Sequence, residues 1–556
     1  MKVLLVALNS QYVHTNLAVR YLKAYTEDLP YECKISEYTI NHRIEQILEG
    51  IMVEKPEVIC FSTYIWNINM VKDLTILIKK INPKIEILYG GPEVSFDSKE
   101  FLEKSKGDYI IRGEGEETFR EFIKYKLGKV SSLEIIKGLC FKEKNGIHIN
   151  EKRENMDMNK IVFPYKEDED LENKIVYYEA SRGCPFRCKY CLSSTDRNLR
   201  FLDVERVKRE LQYFIDKNVK LVKFVDRTFN ASHKFAMEIW AYLIENANSD
   251  TAFHFEISAD ILRDEQFQLL KKAREGLFQF EVGVQSTNVD TLKHINRMVD
   301  FHFIEKKVAK VKELKNIKQH LDLIAGLPNE DFNSFKKSFN DVYALQPEEV
   351  QLGFLKLLKG APMREEAEKW GMVYSHIPPY EILKTNSISY EELLILKKVE
   401  VMVDKYYNTG KFKNIINYFM KKFQNPFEFY YNLSMFFEKK GYFDKNISST
   451  EYYNVFLDFN KELEKSNEEL KEIIKYDYLC FNKKKWLPPF LKREINKKEI
   501  EKIKENLKEI NENINFSKIH IEKFFIDIQK YLTYNIIESK ESYIMFNEVE
   551  NCIKFI

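Results

Sequence analysis

Three of the eight cysteines fall in one short loop, Cys184-Pro-Phe-Arg-Cys188-Lys-Tyr-Cys191. The CxxxCxxC spacing lets a single loop wrap three thiolates around one iron–sulfur cubane and leaves one iron with an open coordination position. Clusters held by four cysteines carry electrons, whereas an open iron binds a small molecule directly. Structural zinc takes four ligands, commonly from paired CxxC units, and the chain has neither a second CxxC pair nor an HxxxH. The other cysteines, Cys33, Cys60, Cys140, Cys480 and Cys552, are scattered singly and read as buried thiols in a reducing compartment.

The loop must be carried by the elements around it. It follows a strand near 175–180. Further strands near 219–225, 252–258, 278–284, 319–325 and 349–357 alternate with helical stretches such as 203–217, 233–246 and 302–315. Six strand–helix units predict a partial (βα)6 barrel over 173–365. Upstream, apolar runs near 2–8, 33–38, 58–64, 85–89 and 108–112 predict a doubly wound, Rossmann-like (flavodoxin-like) parallel sheet over 1–130. Ligands of such sheets sit beyond the carboxyl ends of the strands. That rule selects the loops with Asn9 and Ser10, Ser62 and Thr63, Gly90, Gly91, Pro92 and Glu93, and Gly113 and Glu114. Residues 131–172 read as a hairpin and polar linker, and 366–556 as a mostly helical C-terminal domain. The fold class is α/β with that helical addition.

At 556 residues the chain is too long for one core and predicts two or three domains. Its 44% hydrophobic and 14% aromatic content suits a globular protein. With 87 basic and 86 acidic residues, no general field draws it to nucleic acid or membrane. The basic segment FNKKKWLPPFLKREINKK reads as a solvated face rather than an RNA contact. MKVLLVALNS reads as a first strand, not a signal peptide, and no run approaches the roughly 18 apolar residues of a membrane helix. The expectation is a cytoplasmic protein with no membrane and no stable nucleic-acid partner.

The run Ser181-Arg182-Gly183-Cys184 through Cys191 resembles the cluster loop of radical SAM enzymes. The resemblance implies that Cys184, Cys188 and Cys191 hold a 4Fe-4S cluster whose open iron chelates S-adenosylmethionine (SAM). One electron then cleaves the sulfonium to give a 5′-deoxyadenosyl radical. It places the Tyr190 backbone near adenine. Phe224 to Asn230 resembles the family's acidic segment at the second strand, with Asp226 as a SAM-site candidate and Arg227 where a second acid is common. Glu281-Val-Gly-Val-Gln285-Ser, followed by Ile295-Asn-Arg297, resembles the fourth-strand stretch and downstream Arg that contact ribose and the methionyl carboxylate. Physically, a Gln at a strand end and an Arg soon after can supply a carboxamide and a bidentate carboxylate clamp. Leu323 to Pro328 resembles the stretch that packs on adenine, and is also what a buried strand followed by a turn looks like.

The upstream domain, with GGPEVSF and RGEGEETF, resembles the cobalamin-binding domain of the cobalamin-dependent (class B) radical SAM enzymes, so the likeness covers about the first 360 residues. It implies cobalamin contacts in the four strand-end loops, where Gly90, Gly91 and Gly113 let backbone approach a corrin. The chain lacks the DxHxxG motif that supplies a cobalt-ligating His in many cobalamin proteins, and His14 reads as a plain polar residue. The implied activity is methyl transfer to an unactivated carbon, with an electron donor such as flavodoxin or ferredoxin and a small-molecule or RNA substrate. The alternatives are cobalamin-dependent rearrangement or cyclisation, a tRNA methylthiotransferase-like modification, which expects further cluster cysteines near the N-terminus, and a non-catalytic cobalamin or redox sensor.

Overall fold

A computed structural model describes residues 1–144, 146–172, 174–247, 250–464, 466, 468–482, 486–510, 519–547 and 552–555. Residues 145 and 173 of the hairpin and linker stretch, and 483–485 of the basic segment, lie outside the described residues. The chain divides into two compact units: Met1–Ser338 with Leu352–Tyr390, and Phe339–Gln351 with Glu391–Ile556.

The first unit opens with β1 (Lys2–Asn9), β2 (Glu32–Thr39), β3 (Val58–Ser62), β4 (Glu86–Gly90) and β5 (Tyr109–Ile111). They are parallel and ordered β2-β1-β3-β4-β5, the flavodoxin-like order. In β1, Leu4, Val6 and Leu8 enter one core, and Val3, Leu5 and Ala7 the other. A strand buried on both faces reads as one continuous apolar run, which is why VLLVAL shows no alternation. Strands β6 (Leu139–Glu143) and β7 (Gly146–Ile149), from the stretch read as hairpin and linker, extend the first sheet antiparallel beyond β5.

The second sheet of this unit holds β8 (Ile175–Tyr178), β11 (Leu221–Phe224), β12 (Ala252–Ile257), β13 (Phe278–Gln285), β14 (Ile317–Ala325) and β15 (Glu349–Phe354) in sequence order, with a small antiparallel pair, β9 (Ser181–Arg182) and β10 (Arg200–Phe201), framing the cysteine loop. Strands β8, β11, β12, β13 and β14 pair in parallel. Helices Val204–Asp216, His233–Asn246 and Phe301–Glu313 intervene close to the expected positions. On the helix side, Phe224, Phe255 and Phe280 are wholly buried with Trp240, whose ring lies 5.4 Å from that of Phe280. Because side chains alternate along a strand, Lys223, His254, Glu256, Glu281 and Asp322 fall on the opposite, inner face. The strand pattern sets a greasy exterior layer against a polar interior. After β15, the hairpin β16 (Val373–Tyr374) and β17 (Ile382–Lys384) completes the unit.

The second unit is mostly helical, with Tyr406, Phe412, Phe419, Phe429, Phe456 and Phe459 buried together. Buried Asp477 caps helix Lys413–Met420 by accepting the amide hydrogens of Asn414 and Ile415, each at 3.1 Å. A three-stranded antiparallel sheet of β18 (Ile519–Ile526), β19 (Ser539–Asn547) and β20 (Cys552–Phe555) was not foreseen. Its first strand, IHIEKFFI, interrupts Lys- and Glu-rich helical sequence with too short a run to declare a period.

One backbone contact in the first sheet yields a test. Gly91 has φ +115, and a Cβ there would stand 2.4 Å from the Thr63 carbonyl oxygen, whereas a Cβ at Gly90 would meet no protein atom within 4 Å. Gly91→Ala is expected to destabilise the full chain by about 2 kcal/mol or more, and Gly90→Ala far less. Equal shifts of the urea midpoint would refute this.

Candidate active site

The cysteine loop starts where β8 ends, and its position is set from behind. Asp226, wholly buried at the end of β11, accepts the Ala180 amide hydrogen at 3.0 Å and the Ser181 hydroxyl at 2.5 Å. Burial pushes its carboxyl up to about 7, against the pull of those donors. Gly183, at φ +91, passes so close to Asn198 that a Cβ would stand 2.5 Å from its carbonyl oxygen. Backbone bonds then pin the loop: Cys184 N to Asp196 O at 3.0 Å, Lys189 N to Ile295 O at 2.9 Å, and Met363 N to Lys189 O at 2.9 Å. Cys184 and Cys188 are buried and Cys191 half-buried.

All three cysteines border one chamber of about 170 Å³, together with Tyr190, Glu281, Gln285 and Arg297. Gln285 adopts φ 71 at a bulge in β13, and its amide nitrogen lies where a Cβ on Gly283 would be 2.1 Å away. Gly283 therefore makes room for the carboxamide. Arg297 donates to the Gly283 carbonyl, and its Nη1 lies 3.8 Å from the Cys188 sulfur. Glu281 is held at 3.3 Å from Lys223 and 3.1 Å from His254, whose imidazole burial pushes down to about 3, so it stays neutral. Asp226 does not border the chamber.

The chamber also holds residues that the sequence reading did not assign to it: Arg227, Thr228, Glu256, Ser258 and Asp322. Burial raises the Glu256 carboxyl to about 7, and burial with the nearby Glu281 and Glu256 raises that of Asp322. A signal existed. Glu256 in HFEI and Asp322 in LDLI are charges at alternate positions of otherwise apolar strands, the mark of a polar inner face.

At the carboxyl ends of β1, β3, β4 and β5 lies a cleft of about 800 Å³ bordered by Asn9, Ser10, Ser62, Gly90, Gly91, Gly113 and Glu114. Tyr64 and Trp66, stacked at 4.4 Å, also line it, and the barrel contributes Tyr177, Glu179, Arg182, Val225 and Arg227. Thr63, Pro92 and Glu93 do not border it. Thr63 donates to Gly90 O through its amide at 2.7 Å and its hydroxyl at 2.8 Å, Pro92 begins the short helix Pro92–Ser95, and buried Glu93 accepts the Tyr380 hydroxyl at 2.7 Å. His14 borders the cleft with its Nδ1 2.7 Å from the Tyr177 hydroxyl, and burial lowers its imidazole. Charged pairs join the first sheet's loops to the segments flanking the cysteine loop, Arg182 with Glu116 at 2.6 Å and Arg200 with Glu114 at 2.7 Å, and Arg182 also pairs with Glu179 of its own segment at 2.9 Å.

Comparison with known proteins agrees with this layout. The B12 binding domain family matches residues 3–123, the Radical SAM superfamily residues 178–342, and a protein family of unknown function (DUF4080) residues 368–546. The cobalamin-dependent radical SAM methyltransferase TokK of Streptomyces tokunonensis is 24% identical over 355 residues, 59% of this chain and 51% of that protein. The chain spans about half the length of the curated relatives it matches. Among solved structures, the cobalamin-dependent SAM radical enzyme OxsB, with aqua-cobalamin and SAM bound, has TM-score 0.60 at 16% identity, covering 91% of this chain and 81% of that one. The radical SAM methyltransferase TsrM from Kitasatospora setae, with cobalamin and a 4Fe-4S cluster bound, has TM-score 0.56 at 15% identity, covering 68% and 78%. At these identities both structures speak for the fold.

The residues present fit a 4Fe-4S cluster, SAM and cobalamin. Three cysteines border one chamber. In that chamber Gln285 Oε1, Arg297 Nε and Asp322 Oδ1 are buried without a protein partner, as expected where a polar ligand completes the bonding. In the cleft, Gly90 and Gly113 present open backbone to a large cofactor. Gly90→Leu is expected to cut retained cobalamin at least about tenfold while leaving iron content unchanged, read from corrin absorbance and an iron assay. Undiminished corrin would place the cofactor elsewhere. Asp226→Asn turns an NH2 group toward one of two donors, so iron bound on reconstitution should fall while cobalamin is kept. Full iron loading would show that Asp226 does not anchor the loop. The B12 binding domain and Radical SAM superfamily matches fall almost wholly within the first compact unit, the pairing by which the chain resembles the cobalamin-dependent (class B) radical SAM enzymes.

Proposed function

We propose that this enzyme moves a methyl group from SAM, by way of cobalamin, to an unactivated carbon of a substrate held between the chamber and the cleft. The observation that carries the reading is their shared wall: Arg227 borders both cavities, so the cluster side and the corrin side adjoin one space. Bound cluster, SAM and cobalamin supply the radical and the transferable methyl group.

The chain's own residues bind, orient and shield. The pinned cysteine loop holds the cluster face toward the chamber, and Gln285 and Arg297 orient the methionyl end of SAM, with Glu281 and the Tyr190 backbone nearby. Asn9, Ser10, Ser62, Gly90, Gly91, Gly113 and Glu114 seat the corrin. The buried setting of the chamber keeps water from the reacting centres. A small flavodoxin or ferredoxin supplies the electron. The methyltransferase relative TokK supports transfer over rearrangement. A methylthiotransferase reading draws no support from the N-terminal cysteines, since Cys60 and Cys33 pack in one core of the first sheet and Cys140 in the other.

The test is anaerobic reconstitution with iron, sulfide and cobalamin, followed by methyl-labelled SAM and fractionated extract. Label in a product, with 5′-deoxyadenosine and S-adenosylhomocysteine, is the expected result. 5′-Deoxyadenosine alone would replace transfer with rearrangement, and no cleavage at all would leave a sensor. Cys188→Ala should abolish SAM cleavage and retain cobalamin.

A further inference from the structure

We propose that Arg227 anchors an anionic group of the substrate, a carboxylate or a phosphate, between the corrin cleft and the cluster chamber. The inference rests on the reading above in needing a substrate there, and it adds the substrate's chemical class.

Each of the other arginines of these cavities holds at least one protein partner. Arg112 donates to the Asn150 carbonyl at 2.5 Å, Arg153 pairs with Glu121, Arg182 with Glu116 and Glu179, and Arg297 donates to the Gly283 carbonyl. Arg227 is exposed into the shared space and makes no side-chain hydrogen bond or ion pair among the described residues. Its backbone is fixed, however. Thr228 donates its hydroxyl to the Arg227 carbonyl at 2.7 Å and lies 3.6 Å from the Cys184 sulfur, while the preceding Asp226 is locked to Ala180 and Ser181. The guanidinium is thus a free arm on a base fixed beside a cluster ligand. Its charge reaches Tyr64 in the cleft and Glu256 in the chamber.

In the open space water solvates this cation. Once corrin, SAM and substrate fill it, that water is displaced and an unpaired guanidinium becomes costly. The side-chain amides of a corrin are neutral and its one anion is the phosphate of the nucleotide tail, while the chamber has Arg297 for the methionyl carboxylate. Arg227 borders both cavities and holds no side-chain partner among the described residues, so its counter-ion is assigned to the substrate, and protection by cobalamin alone is the outcome that would give it to the corrin's phosphate instead. The planar five-donor fork suits two oxygens of a carboxylate or phosphate.

The test uses the reconstituted holoenzyme under anaerobic conditions. Phenylglyoxal modification of Arg227, followed by peptide mass spectrometry, is measured with inorganic phosphate, acetate or neutral acetamide added. Phosphate or acetate should slow modification several-fold relative to acetamide, and whichever protects better names the anion. Equal rates with all three, or complete protection by cobalamin alone, would overturn the proposal. In parallel, extract is split by anion exchange and offered with methyl-labelled SAM. Label should enter the retained fraction. Arg227→Gln should slow that labelling roughly 10- to 100-fold, with Arg227→Lys intermediate and iron and cobalamin contents unchanged. Label in the unretained fraction at a rate indifferent to Arg227→Gln would also overturn it. If wild-type enzyme labels neither fraction, the methyl-transfer reading fails, and the protection measurement still decides the anion site.

Discussion

A carboxylate with no exposed surface, Asp226, ties the end of one barrel strand to the first residues of the cysteine loop. Burying it carries a desolvation penalty, which its two donors offset in part. In return the loop acquires a fixed origin, and the rest of the site is measured from it: the chamber bordered by the cysteines, the guanidinium of Arg227 one residue on, and Thr228 beside Cys184. Had that carboxylate faced the chamber, the loop would have only its later backbone bonds to fix it.

The join between the first sheet and the barrel combines a backbone bridge at His14 and Ile175 with partly buried charge. Arg182 and Arg200 leave the segments flanking the cysteine loop and meet Glu116, Glu179 and Glu114. Partly buried ion pairs of this kind add little net stability, because desolvation cancels most of the attraction, but they reject misaligned arrangements. Their value here is registration of the cleft against the loop.

The cysteine spacing, the order of the strands and the two α/β parts were legible because each is local: a motif, an apolar period, a glycine-rich turn. Less was legible where the reason lies across the fold. Thr63 and Glu93 sit in the right loops, but Gly90 and Tyr380 bind them from other parts of the chain and turn them into structure. Asp226 lies in the segment that resembles a SAM contact, yet its side chain faces Ala180 and Ser181. Glu256 and Asp322 were readable only by treating strand parity as a map of the barrel interior. The sheet formed by β18, β19 and β20 escaped because IHIEKFFI is too short to declare a period and its partner β19 begins only after twelve intervening residues.

The segment that follows the barrel grips both cavities' walls. Near Lys359 to Glu366 it meets Phe96 of the cleft through Gly360, where a Cβ would stand 2.2 Å from the ring, and it meets the cysteine loop through Met363 and Glu366, the latter 2.6 Å from Lys189. The two walls therefore share a single spacer. A residue inserted or deleted between Gly360 and Met363 would change the spacing of the two contacts, so the separation of cleft wall and cysteine loop depends on the length of this short segment.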